Sequence, residues 1–210
     1  MRSLTIVILS LLFVFILSCN SAFTPKPTGY FKIDFPERSY QTFDEPGFPY
    51  SFEYPSYATV SKNIDTEDNQ PYWLNVEFKG FSGRIYLSYK SVNGYSTYKI
   101  KQGDSYKDSL VKNSFDKLRD EAFSLTYKHT IKASGIVDSF FSPRPGYAGM
   151  YFYVEGNAAT SKQFFITDSV RHFLRGALYF DATPNEDSIR VVSDFLETDV
   201  KHLISTLKWK

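Results

Sequence analysis

The sequence predicts an α+β fold in which two main helices cover a mainly antiparallel sheet. Three observations predict it: period-two alternation over 73–79 and 84–89, two helical apolar stripes near 105–128 and 184–207, and a run of strand candidates between them. The links between those strands are too short for crossovers, which favours antiparallel pairing. A parallel doubly wound sheet needs a helix between most strands, and none is present there.

Taken in order, residues 1–18 read as an export signal, with Arg2, an apolar run from Leu4 to Leu17, and small Ser18 before Cys19. That run is shorter than the roughly 20 apolar residues a membrane-spanning helix needs. Residues 19–28 are polar and rich in proline, an extended and semi-rigid tether. A single globular domain is expected over 29–210. Within it, Tyr30 to Phe35, Tyr50 to Tyr54 and Tyr57 to Ser61 are short extended pieces that proline confines to edges or irregular connections. Residues 80–83 turn a hairpin between the two alternating strands, and 91–104 form a glycine-containing loop.

The first helix is predicted from Ser105 to about Lys128, because Val111, Phe115, Leu118, Ala122 and Leu125 recur at three- and four-residue steps. Strands follow at 131–141, 148–155, 162–168 and 172–180. Pro184 and Asn185 open the last helix, with Glu186 and Asp187 at its positive end and Ile189, Val192, Leu196, Leu203 and Leu207 on its buried stripe. The arrangement resembles the PsbP and Mog1 type of fold, an analogy of architecture that carries no function.

Chemistry is sparse. Once Arg2 is set aside, 23 of the 24 basic residues face 23 acidic ones, so neither nucleic acid nor anionic lipid is favoured as a partner. His129, His172 and His202 lie far apart without metal-ligand spacing, and are expected to cap helices or lie at the surface. Walker loops, dinucleotide fingerprints and Gly-x-Ser-x-Gly elbows are absent. Ser-x-x-Lys occurs at Ser96, Ser109, Ser114 and Ser205, a recurrence that argues for chance. No cofactor or metal is predicted. Sixteen Tyr, 20 Phe and 2 Trp form the compositional outlier. Most belong on pleated, half-buried surfaces, but Tyr54, Tyr57, Tyr95, Tyr98, Arg144 and Tyr147 fall in expected loops or edges and are candidates for partner contact.

Ile16-Leu17-Ser18-Cys19 resembles the lipobox of bacterial lipoproteins, with Ile where Leu is usual three places before the cysteine. The resemblance implies cleavage before Cys19, a lipid on its sulfur and acyl chains of the palmitate kind. Several chains make such anchoring effectively permanent. With one cysteine, no internal disulfide is available to the fold.

The run Pro25-Lys26-Pro27-Thr28-Gly29-Tyr30-Phe31-Lys32-Ile33-Asp34-Phe35-Pro36-Glu37-Arg38-Ser39-Tyr40 resembles the start of the mature domain of the GldD family, the gliding motility lipoproteins of Bacteroidota. Phe52 to Ala58, Arg175 to Phe180, Pro184-Asn185-x-Asp187-Ser188 and Asp199-x-x-His202-Leu203 extend the resemblance over nearly the whole mature chain. It singles out Asp34, Glu37, Arg175, Asp187 and His202. It implies a non-enzymatic envelope component of gliding and of the associated type IX secretion machinery, whose partners are other envelope proteins. In Bacteroidota, acidic residues soon after the lipidated cysteine tend to mark surface export, and their absence here points to a domain facing the periplasm. Arg175, on a strand beside Leu174, is expected at the surface or paired with Asp34 or Glu37. A lipoprotein that uses its aromatics to hold glycan or peptidoglycan is the alternative reading.

Overall fold

The computed structural model describes residues 32–62, 70–103 and 105–210. The signal segment, Cys19 and the tether expected from the sequence lie outside them. The chain divides into two compact units, Met1–Asp34 and Phe35–Lys210. Of the first, Lys32, Ile33 and Asp34 are described and are exposed.

The second unit is built on an antiparallel sheet of seven strands among the described residues. In chain order they are β3 (Thr59–Lys62), β4 (Leu74–Phe78), β5 (Gly83–Ser91), β8 (Ala133–Phe141), β9 (Ala148–Gly156), β10 (Thr160–Thr167) and β11 (His172–Phe180). In space the order is β3-β4-β5-β11-β10-β9-β8. The alternating hairpin of β4 and β5 forms as predicted, closed by a short 3₁₀ turn at Lys79–Phe81. One face of the sheet carries Ile85, Leu87, Phe164, Ile166, Leu174 and Leu178, packed with Leu196, Val200, Leu203 and Ile204 of α2 (Glu186–Thr206). Each such side chain taken from water contributes about 1.5–3 kcal/mol. The opposite face buries Phe152, Phe165 and Phe173 against Leu118 and Ala122 of α1 (Phe115–Tyr127).

A smaller sheet of β1 (Tyr40–Phe43), β2 (Tyr50–Pro55) and β12 (Lys208–Trp209) shares the α2-side core through Phe43, Tyr50 and Phe52. Here β2 is the central strand, although proline argued for an edge. Pro49 and Pro55 stand at its two ends, where a missing N–H costs no interior ladder bond.

The stretch 91–112 departs most from expectation. Instead of a loop leading into a helix, it forms an antiparallel ribbon of β6 (Tyr95–Gln102) and β7 (Ser105–Lys112). Gly103, at φ 63°, takes the left-handed conformation at the end of β6 that a tight reversal favours. The helix then begins only at Phe115, because Ser114 is extended and its hydroxyl accepts the Lys117 N–H at 3.2 Å. The four-residue step from Val111 to Phe115 therefore spans a strand end and a cap.

Likewise, the described part of the piece expected at 30–35 is not a strand. Pro36 removes a donor and restricts Phe35. Phe35 instead stacks on Phe195 of α2, ring centroids 4.1 Å apart.

Candidate functional site

Strand and helix periodicities together build a cleft between α1 and the sheet. From β5 come Tyr86, Ser88 and Lys90, and from β11 Phe173 and Arg175, each set at a spacing of two. From α1 come Leu118, Glu121, Ala122 and Leu125, at steps of three, one and three residues along one stripe. Trp73 and Leu87 complete the lining of a cavity of about 430 Å³. In the register, Arg175 lies opposite Ser88 and Phe173 opposite Lys90.

The two cations of the cleft are treated differently. Lys90 Nζ donates to both Glu121 oxygens, at 2.7 and 3.0 Å, and to Tyr98 Oη at 3.1 Å. Tyr98 Oη in turn donates to Glu121 at 2.9 Å, and burial, reinforced by Glu121, pushes its pKa up. Arg175 donates to the side-chain oxygen of Gln163 and has no carboxylate partner among the described residues. Burial lowers its pKa, with Tyr179 and Glu121 working against the shift. Thr126 Oγ1 lies 3.1 Å from the same Gln163 oxygen, and Gln163 Nε2 is buried without a partner. A guanidinium only donates, so Gln163 must present its oxygen to Arg175 and leave its amide nitrogen unused.

A second cavity of about 380 Å³ opens near the start of α2, lined by Tyr153, Phe180, Ile189 and Lys162. There Lys162 is balanced by Glu197 at 2.9 Å and Asp194 at 3.4 Å.

Arg175, expected at the surface or paired with Asp34 or Glu37, instead bonds Gln163, because its side chain faces the α1 side of the sheet. Asp34 pairs with Lys32 at 2.8 Å, and Glu37 is exposed. Asp187 is exposed in the first turn of α2, whose cap is Asn185 accepting from Ser188 N at 3.3 Å. His202, expected as a cap or surface group, stacks on Tyr40 at 3.5 Å and meets Glu53 through Nε2 at 2.7 Å. His172 is enclosed as well: its ring stacks on Trp209 at 4.9 Å and its Nδ1 is 2.8 Å from Tyr89 Oη. His129 sits 3.4 Å from Tyr179 Oη. Beside His202, Asp199 is 1% exposed and accepts from Tyr40 at 2.9 Å and from Tyr57, with Arg38 Nε at 3.5 Å. Burial and that bond push the Tyr40 hydroxyl up to about 12.

Most of the aromatic contact candidates already have partners within the chain. Tyr57 is held by Asp199, Tyr54 packs on the core beside Phe52, and Tyr98 is held by Glu121 and Lys90. Tyr147 stacks on Trp209 at 5.7 Å, and Arg144 donates to the carbonyls of Ser205 and Leu207 at 2.7 and 2.6 Å. Tyr95 differs, 64% exposed on the ribbon with Tyr106 at 68% and Leu110 at 70%. Tyr95, Tyr106 and Leu110 share one face by alternation, with Thr97, Lys99, Lys101, Asp108 and Lys112 around them. Sequence reasoning missed Tyr106 and Leu110 because it gave them to a helix. Among the described residues no helix is long and apolar enough to cross a membrane, and no group of three His, Cys, Asp or Glu is placed to hold a metal.

Comparison with known proteins gives one family. The model of the family described as gliding motility lipoprotein GldD matches residues 20–209. No curated protein matches the chain. A solved structure similar to it is the solution structure of cyanobacterial PsbP (CyanoP) from Synechocystis sp. PCC 6803, at 9% identity over 91% of this chain and 100% of that one, with a TM-score of 0.40.

Proposed function

The chain belongs to the GldD family of gliding motility lipoproteins, and from that membership we propose that it is a non-enzymatic assembly factor which docks other envelope proteins through its β6–β7 ribbon. Membership gives the coarser statements: a lipoprotein of the cell envelope, anchored to a membrane and acting in gliding motility. The finer ones are part of the proposal. A signal peptide ends at Ser18, Cys19 carries the acyl chains, the domain faces the periplasm of a member of the Bacteroidota, and the same contacts serve type IX secretion.

One observation carries the docking role. The ribbon holds Tyr95, Tyr106 and Leu110 in water although its other face is tied down by Tyr98. Exposed tyrosines on a paired ribbon bury large area at little side-chain entropic cost, as interface anchors do. Replacing all three by Ser should leave far-UV circular dichroism and membrane fractionation unchanged while abolishing gliding and the crosslinks to envelope partners in intact cells. Normal gliding and an unchanged crosslink pattern in that variant would refute the ribbon as the docking surface.

The anchor has its own test. Cys19→Ala should shift the protein out of the membrane fraction and stop gliding, and retention of both properties would sink the lipid assignment. The cleft, with Trp73 and Tyr86 in its lining, favours a second reading, a glycan- or peptidoglycan-binding lipoprotein. Retention of the protein on purified cell wall at moderate salt would support it.

A further inference from the structure

We infer that the cleft between α1 and the sheet binds a small anionic amphiphile, its carboxylate or phosphate head on the Arg175 guanidinium and its apolar body against Phe173, Leu118, Leu125, Trp73 and Tyr86. The site is separate from the ribbon's docking face and does not depend on it.

Charge is the first argument. Elsewhere part-buried cations face carboxylates or a helix end: Arg84 faces Glu77 at 3.9 Å, Lys162 faces Glu197 at 2.9 Å, and Arg144 is held by the carbonyls that close α2. Within the cleft Lys90 is neutralised by Glu121, so Arg175 leaves one positive charge in surplus. An uncompensated guanidinium set among Phe, Leu and Ala side chains is unfavourable until an anion joins it.

Geometry is the second argument. Gln163 holds one end of the guanidinium and is itself fixed by Thr126. The remaining N–H donors form a planar fork suited to bidentate contact with a carboxylate or phosphate. At about 430 Å³ the cavity falls in the range typical of small-ligand pockets, and its lining is mainly apolar with a few polar groups, as such pockets require. The apolar stripe of α1 supplies one wall and the aromatic side chains of the sheet another, which fits a body of several methylenes or one ring.

Trp73 reports on the cleft directly. The chain has two tryptophans, so Trp209→Phe leaves Trp73 as the single fluorophore. With the full chain reconstituted in phosphatidylcholine vesicles, octanoate, octyl phosphate and 1-octanol are titrated in turn. Saturable change is expected with at least one of the two anions, and roughly tenfold weaker binding of 1-octanol, the scale of a charge-assisted hydrogen bond. Whichever anion binds more tightly identifies the head group. Arg175→Met should weaken anion binding by roughly tenfold or more and leave the response to 1-octanol unchanged. Should Arg175→Met fail to fold by circular dichroism, Ser88→Phe fills the cleft without altering its charge and should abolish saturation. Equal affinity for all three probes, insensitivity to these substitutions, or no saturable change would overturn the proposal.

Discussion

At Asp199 three donors from the first part of the chain converge on one buried carboxylate, and the same side chain belongs to the last helix. If it is removed, Tyr40 and Tyr57 lose their acceptor and Arg38, which still donates to the Phe195 carbonyl, loses its counter-charge. Asp199→Ala is therefore expected to cost about 3–5 kcal/mol in urea unfolding, the scale for breaking a buried charged contact. Asp199→Asn keeps one carbonyl acceptor and should cost less. A second sensitive position is Gly176, where a Cβ would stand 2.2 Å from Phe164 Cε1. Gly176→Ala should lose about 1–3 kcal/mol by overpacking, read as a lower urea midpoint. Neither residue's role was legible beforehand. Alternation set Arg175 on the face opposite Leu174, but pairing partners distant in sequence, such as Gln163 for Arg175 or Glu53 for His202, leave no local periodic trace.

Elements were legible where local pattern and tertiary packing agree. The hairpin of β4 and β5, the strands β8 to β11 and the helix capped by Asn185 follow from alternation, turn residues and an N-cap. The ribbon was hidden because Val111 and Phe115 continue a helical spacing across a strand end, and only cross-strand pairing over 95–112 resolves the ambiguity. Strand β12, two residues long, is too short for any period to show. At the end of α2, Arg144 satisfies carbonyls that the helix leaves open. Arg144→Ala should cost roughly 1.5–3 kcal/mol, the range for hydrogen bonds to a charged group, and raise amide exchange over the last turn of α2 and in β12 ahead of the rest of the fold.

Across the whole molecule, buried titratable rings set the pH window of stability. Burial lowers the pKa of His129, helped by Arg175, and of His172, where Asp168 works the other way. Both therefore bind protons more readily when unfolded, so their contribution is complete above the ordinary histidine range and is lost as pH falls below about 6.5. The urea midpoint should drop between pH 7.5 and 5, and His172→Phe should flatten that slope. At the alkaline end the sign reverses. Burial raises the hydroxyls of Tyr50 and Tyr151, so the folded state holds their protons more tightly and stability declines as pH rises beyond about 10.

The pairing of β12 with β2 also sets a timetable for an exported chain. Tyr50 and Ser51 find their partners in Trp209 and Lys208, and Tyr40 and Tyr57 find theirs in Asp199. During amino-terminus-first translocation these early residues emerge long before the late ones, and contacts of such sequence separation form slowly. The small sheet must wait with an open edge, exposed to wrong pairing. The final turn of α2, which leads into β12, thus acts as the latch that closes the small sheet.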